Sequence, residues 1–562
     1  MIKTIVIGGA AGEGINTAEQ FIEKIVKGNG LNFLSYKNYM SRVRGGYNFT
    51  TITLGDETID SIEHRADLFL ALNAEATEHA ELQVKTNGVI VTTERVHHEP
   101  ALRSKQISLY SEDLKAIRNS NAGTMAGVGA ILAYLGFKAN IIDDLVMAKW
   151  SEQVNAQNLE AALLGFNILA DWNKKSFEPQ VRSKAQLMVN GNQAVALGAL
   201  AAGLGFYCAY PMAPSTGIMS YLAKNQKKMN IVVEQAEDEI SAIMAAIGSA
   251  SNGVRSMTGT SGGGFSLMVE ALGFAAVAEV PLVICNVQRP GPATGLPTRT
   301  EQADLLFTVF ASQGEFSRIV LAPTSIEDAF YTTFRAFNYA EAFQVPVIIL
   351  TDQYLADSTT VVPSFDLEGL IIERSLSYDV EEDYKRYDFQ RLSGGRKYPG
   401  IDRETLIMTD SHVHDEYGHV TEDSLATIQL KDKFLKRHKA IEKALKAPTF
   451  VGVDTYEYLM IAWGSTGSVL RSAVQKLNAK GIQVGGLIFS DVYPISEKCF
   501  EPYLRKGVKI INVEGNATNQ FGKLIRMETG INFDEAINKY DGRPFSDEEI
   551  VSAVEVIVNG NR

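Results

Sequence analysis

The chain has 562 residues and a formal net charge of −13, so no basic excess is available to neutralise phosphates and a general nucleic-acid binder is excluded. Apolar residues make up 45% and charged residues 21%, an ordinary globular balance, and no apolar run is long enough to span a bilayer. Three well-separated cysteines (Cys208, Cys285, Cys499) with no CxxC pair argue against a disulfide framework or an iron–sulfur cluster held by this chain.

A chain of this length asks for roughly three or four domains. Residues 1–174 read as one α/β domain. Ile5-Val6-Ile7 is a strand entering the glycine turn Gly8-Gly9-Ala10-Ala11-Gly12-Glu13-Gly14, and Asn16 to Val26 has helical spacing. The chain therefore starts on a strand without a signal-peptide shape, and the expected location is cytoplasmic. Strands are predicted at Thr50–Leu54, Leu68–Leu72 and Gly88–Thr92, and helices at about 124–136 and 157–171. The polar residues 175–184 read as a linker. Residues 185–360 alternate strands and helices, and Pro281–Val287 and Val345–Leu350 are continuous apolar runs, as parallel strands covered on both faces require. The fold class is α/β, with several doubly wound domains. Residues 361–448 are irregular and charged, with a basic helix expected at Lys431–Lys446, and residues 449–562 resume α/β character.

Four constellations carry chemistry. The Gly8–Gly14 turn suits a phosphate at a helix start, although its spacing is not GxGxxG and a tight turn without ligand fits as well. Arg42 and Arg44, beside Gly45-Gly46, add anion-binding character, or are solvated surface charges. Tyr207–Thr216 places Pro211 and Pro214 at a strand end, where Ser215 and Thr216 cap a helix or face a ligand. Gln288–Gln302 is a proline- and glycine-rich loop after a buried strand, and its Arg289 and Thr298 offer donors suited to a carboxylate. The fourth is Glu239. It opens a helix of small residues and is followed by Thr258-Gly259-Thr260-Ser261-Gly262-Gly263-Gly264. A helix-start carboxylate normally satisfies backbone amides. The adjoining glycine loop turns the reading towards a carboxyl that meets a flat organic cofactor. His412, His414 and His419 fit no common zinc spacing, so no metal is expected on them.

These motifs, with Asn190–Ala194, Asp352–Ser358, Trp463–Gly467 and Val513–Gln520 in order along nearly the whole chain, resemble the α subunit of 2-oxoacid:ferredoxin oxidoreductases. The γ domain is fused in front of α, and the subgroup is most like 2-oxoglutarate:ferredoxin oxidoreductase. The resemblance implies a γ-type domain at 1–174, a thiamine-diphosphate pyrimidine domain at 185–360 and a transketolase-C-terminal-like domain at 449–562. It implies CoA-dependent oxidative decarboxylation of a 2-oxoacid, with 2-oxoglutarate as the best match. Glu239 would hydrogen-bond the aminopyrimidine ring, with Tyr210, Pro211, Thr260 and Ser261 around the cofactor. Arg289, Thr298 and Ser215 would hold the oxoacid. Gly9, Gly12, Gly14, Arg42 and Arg44 would form a phosphate or coenzyme A site. A separate β subunit would carry Mg2+, a [4Fe-4S] cluster and half of the thiamine site, since no Gly-Asp-Gly metal motif or cluster cysteines occur here. The chain would be inactive alone, would work as αβ or (αβ)2, and would pass electrons to ferredoxin. The family's Tyr-Pro-Ile-Thr-Pro loop reads Tyr210-Pro211-Met212-Ala213-Pro214 here, so Ala213 lacks the hydroxyl that contacts the oxoacid. That departure keeps branched-chain or aryl 2-oxoacids open as substrates. A non-catalytic assembly subunit is the rival from another class. A nicotinamide dehydrogenase lacks an evident acidic ribose ligand.

Overall fold

The computed structural model describes all residues except 41–44, 94–104, 173–176, 178–184, 380–382, 393, 404 and 561–562. The expected linker at 175–184 therefore lies outside the described residues apart from Phe177, and so do Arg42 and Arg44. The chain forms two compact units: Met1–Val189 with Ser358–Ser364 and Ser546–Glu548, and the remainder from Asn190 onwards.

The first unit is built on an eight-stranded mixed sheet in the order Lys105–Ser108, Val84–Thr92, Ala66–Ala71, Ile2–Ala11, Gly45–Gly55, Asn32–Asn38, Thr359–Pro363, Gln186–Asn190. Ile2–Ala11 runs parallel to Ala66–Ala71 and antiparallel to Gly45–Gly55, which forms an antiparallel pair with Asn32–Asn38. The helices Ala122–Tyr134 and Glu152–Leu169 cross at two glycines. A Cβ on Gly129 would stand 1.8 Å from the Ala162 carbonyl oxygen, and one on Gly165 would stand 1.9 Å from that of Ala126. Only glycine permits backbones to approach this closely. The strand Thr359–Pro363 joins this sheet, and the sequence-derived boundary at residue 360 falls inside it.

The second unit holds two sheets. One has seven strands in the order Asp491–Tyr493, Ile319–Leu321, Pro346–Asp352, Leu282–Gln288, Ser256–Thr260, Phe206–Ala209, Val232–Gln235, all parallel except the antiparallel edge strand Asp491–Tyr493. Every residue of Leu282–Gln288 and Pro346–Asp352 is buried, as the continuous apolar runs require. The other has five strands, Thr449–Gly452, Val484–Phe489, Tyr458–Trp463, Lys509–Glu514 and Glu535–Asn538, parallel but for the edge strand Thr449–Gly452. Leu282, Ile284, Ile348, Leu459, Trp463, Phe489 and Phe521 share one apolar core, so both sheets of this unit are packed together.

The basic helix spans Ser424–Ala444 and starts seven residues before its predicted beginning, because the Asp423 carboxylate accepts from the Ala426 amide at 2.8 Å. The three histidines of the preceding segment go to different partners. The two nitrogens of His414 face the carbonyls of Asp415 (2.9 Å) and Val277 (3.1 Å), while His412 and His419 are exposed beside Asp410 and Asp415.

Candidate functional site

All parallel strands of the seven-stranded sheet end on one edge, and the predicted site residues of the second unit collect there. Chain order reverses between Phe206–Ala209 and Ser256–Thr260, the place where doubly wound sheets open a ligand crevice. The loop Tyr210–Ser215 leaves the first of these strands. Ser261 and the helix Gly262–Val277 leave the second. Glu239 follows the neighbouring strand Val232–Gln235, and Arg289 follows Leu282–Gln288.

Glu239 is the first residue of the helix Glu239–Ser251, yet it does not cap it. Asp238 is the cap, its carboxylate accepting from the Ser241 amide at 2.7 Å. Glu234, Glu237 and Asp238 are exposed, whereas Glu239 is only 4% exposed and its Oε1 has no hydrogen-bond partner among the described residues. The carboxyl lies over the start of the next helix. A Cβ added at Gly264 would stand 2.4 Å from Glu239 Oε1 and 2.1 Å from Thr260 Oγ1. Gly264 therefore makes the space that this buried acid occupies. Replacing Asp238 by alanine is expected to cost about 1 kcal/mol of stability, the usual value of an N-cap. Thermal melts of that variant give the scale against which substitutions at Glu239 are read.

In the same sheet and the loop after it, Ser261 Oγ, Thr258 Oγ1 and Asn286 Oδ1 are also buried without hydrogen-bond partners among the described residues. Buried polar groups are normally hydrogen-bonded, and each orphan costs about 1–3 kcal/mol. Ser261 and Asn286, near the ends of adjacent strands, offer polar atoms to a ligand at this edge. An aminopyrimidine with ring nitrogen and exocyclic donors matches this set: one carboxyl, hydroxyls and a glycine-lined floor.

The proline loop is fixed from three directions. Ser215 Oγ donates to the Met212 carbonyl at 2.7 Å, Asn192 Nδ2 donates to that of Pro214 at 3.1 Å, and Arg289 Nη1 donates to that of Ala213 at 2.7 Å. The main-chain oxygen of Ala213 thus anchors the arginine at the position where its side chain lacks a hydroxyl. Tyr210 is exposed, Pro211 half-buried, Thr298 buried, and Arg289 partly exposed. Sequence reading passed over Asn286 and Asp304. Asn286 Nδ2 donates to Asp304 Oδ2 at 3.3 Å, and the Asp304 amide donates to Gln288 Oε1 at 2.9 Å. Burial pushes the Asp304 carboxyl up to about 6, against the Asn286 hydrogen bond and the attraction of Arg289. The signal available in the sequence was an acid directly before the apolar stretch Leu305–Phe310.

In the first unit, Gly12 and Gly14 both adopt φ of +97°, which other residues rarely tolerate. The turn is partly filled by the chain's own acid. Glu13 Oε2 accepts from the Ala10 amide at 2.7 Å and from Asn73 Nδ2 at 2.6 Å, and it lies 3.0 Å from where a Gly9 Cβ would be. Among the described residues, no group of three histidine, cysteine or acidic side chains is placed to hold a metal, and no helix is long and apolar enough to cross a membrane.

A parallel α/β sheet with a buried acid at the carboxyl ends of its strands is the frame of a ligand-binding α/β protein. Comparison with known proteins gives the cofactor. Residues 197–432 match the family model of the pyruvate flavodoxin/ferredoxin oxidoreductase thiamine-diphosphate-binding domain, and residues 4–168 match that of pyruvate ferredoxin/flavodoxin oxidoreductase. A 2-oxoacid:ferredoxin oxidoreductase subunit alpha from a Sulfolobus species is 31% identical over 99% of this chain and 97% of its own length. The 2-oxoglutarate synthase subunit KorA of Methanothermobacter thermautotrophicus is 32% identical over 66% of this chain and 98% of its own. The solved 2-oxoglutarate:ferredoxin oxidoreductase from Magnetococcus marinus, with 2-oxoglutarate, coenzyme A and succinyl-CoA bound, superposes with a TM-score of 0.92 at 29% identity over 99% of both chains. The chain belongs to the α subunits of the 2-oxoacid:ferredoxin oxidoreductases.

Proposed function

We propose that this chain is the α half of an enzyme that oxidatively decarboxylates 2-oxoglutarate to succinyl-CoA, with ferredoxin taking the electrons. The observation that carries this reading is the buried, unpartnered Glu239 Oε1 over Gly264. Thiamine diphosphate, when bound, supplies the nucleophilic carbon and electron sink of the reaction. Glu239 holds and moves a proton at the aminopyrimidine, with Thr260, Ser261, Tyr210 and Pro211 bounding the ring. Arg289, Thr298 and Ser215 orient the oxoacid and its carboxylate. Gly9, Gly12, Gly14, Arg42 and Arg44 take the phosphates of coenzyme A. The 2-oxoglutarate preference is supported by the KorA relatives and by the ligands of the Magnetococcus marinus enzyme.

A β subunit completes the site and brings Mg2+ and the [4Fe-4S] cluster, in an αβ or (αβ)2 assembly. The supporting surface is apolar. Ile240 and Met244 on the Glu239 helix, Leu267 on the next helix and Leu296 on the Arg289 loop are all exposed. A partner chain would bury them and exclude water from the carboxyl. A branched-chain or aryl oxoacid is the second reading, favoured by Ala213 in place of the family's threonine.

The test is reconstitution with a β chain and an assay of ferredoxin reduction across 2-oxoacids. Reduction that needs both chains, CoA and 2-oxoglutarate supports the proposal. Reduction by this chain alone, or a clear preference for branched or aryl acids, overturns it. In the active complex, Arg289→Met is expected to lower kcat/KM for the oxoacid by roughly 10–100-fold. That is the value of about 1.5–3 kcal/mol for a hydrogen bond to a charged group. An unchanged KM would remove Arg289 from substrate binding.

A further inference from the structure

A second cavity in the Asn190-onward unit lies away from the Glu239 crevice, between the helix Leu305–Phe310 and the helix Ser424–Ala444. Its volume is about 400 Å³, within the usual range for small-molecule sites. Phe310, Phe316, Phe434, His438 and Tyr493 supply aromatic walls, and Arg318 forms part of the lining.

Arg318 is the informative residue. It is 5% exposed, and no carboxylate lies within ion-pair distance of it among the described residues. Of the other buried arginines, Arg396 is paired with Glu341 and Arg437 with Glu279, while Arg255 is held by the carbonyls of Ala202 and Glu373 and by Asn338 Oδ1. Arg318 Nη1 donates to the carbonyls of Thr308 (3.4 Å) and Ala311, and the Phe316 ring covers the guanidinium at 4.1 Å. Nε and Nη2 have no hydrogen-bond partner among the described residues. Bonding the end of a six-residue helix accounts for one nitrogen out of three. Nε and Nη2 open onto the cavity, where a ligand's acid group can reach them.

The remaining charges do not cancel it. Lys431 is at the lining, its Nζ 3.4 Å from the Glu315 carbonyl. Burial draws His438 below the usual histidine value, against the pull of Glu442. Glu442 acts on His438 and Glu528 on Tyr493, so carboxylates stand at the rim, but among the described residues none acts on Arg318 itself.

We infer that this cavity binds a small organic anion with a flat apolar body, its acid group on Arg318 Nε and Nη2 and its body between Phe434 and Tyr493. This does not depend on the oxidoreductase reading and is tested by binding alone. The probes are 2-naphthoate and its uncharged counterpart 2-naphthol, titrated calorimetrically into the full chain and into its complex with a β chain. The wild type is expected to prefer the naphthoate by at least tenfold, and Arg318→Gln is expected to abolish that preference. Leu435→Trp, at an exposed position on the lining, should weaken both probes at least tenfold with no change in melting temperature. Should Arg318→Gln fail to fold, Leu435→Trp together with the wild-type preference carries the test. Equal binding of the two probes by the wild type overturns the inference. So does a preference retained in Arg318→Gln, or unweakened binding in Leu435→Trp. Binding to the free chain that vanishes in the complex also overturns it, since a partner subunit then covers the cavity.

Discussion

Glu239→Gln, assayed in the reconstituted complex, is expected to lower kcat by roughly 10²–10⁴-fold, the range that a positioned general acid–base contributes. The substitution is isosteric, so the space over Gly264 stays filled. Only the capacity to gain and lose a proton goes. Stability separates this role from a structural one. Asp238 already caps the helix, and Glu239 Oε1 is buried without a partner. Removing an unpaired buried carboxylate relieves a cost, so the melting temperature of the isolated chain should hold or rise. A carboxylate serving the fold would give the reverse: a melting temperature that falls at least as far as in Asp238→Ala, with turnover largely kept. That outcome would take Glu239 out of the chemistry.

What the sequence could and could not disclose follows from the range of the interactions involved. The crevice was legible because its residues follow buried strands directly, and a parallel sheet brings all strand ends to one edge. Glu239 stood out by its glycine-rich sequel. That Asp238 rather than Glu239 takes the cap was not legible, since the two adjacent acids differ only in the direction they leave the helix. Asn286 and Asp304 become neighbours only when two elements of the sheet are superposed in space. The strand Thr359–Pro363 pairs with Asn32–Asn38 across more than half the chain, and no local pattern encodes that register. The sequence marked a basic helix at Lys431–Lys446 but not where its charges go. Its outer lysines do face water, but Lys433 and Arg437 are buried on Glu279, a residue from the far end of another helix.

That cluster sets the second large effect. Lys433 Nζ and Arg437 Nη2 each lie 2.7 Å from a Glu279 oxygen, and all three side chains are buried. Glu279 sits at φ +49°, just past the helix Gly262–Val277, a left-handed conformation that an L side chain holds only when its surroundings fix it. Burial alone would push its carboxyl up, but Arg437, Lys433 and Arg386 outweigh that and bring it down to about 2. Burial, opposed by Glu279 and reinforced by Arg437, draws Lys433 down to about 8. Glu279→Gln leaves two buried cations without a counter-charge. The expected loss is about 3–5 kcal/mol, the range for breaking one side of a buried ion pair. The pH dependence has a definite sign. The folded carboxyl titrates below the unfolded value of 4.5, so its stabilisation is complete above 4.5 and is lost as pH falls towards about 2. Denaturant midpoints of the wild type should fall across that window more steeply than those of Glu279→Gln. Adding Lys433→Met to Glu279→Gln removes one stranded cation and should recover part of the loss, which a purely steric defect at Glu279 would not allow. A Glu279→Gln loss under 1 kcal/mol, or no recovery in the double variant, would mean that packing rather than charge holds this helix end in place.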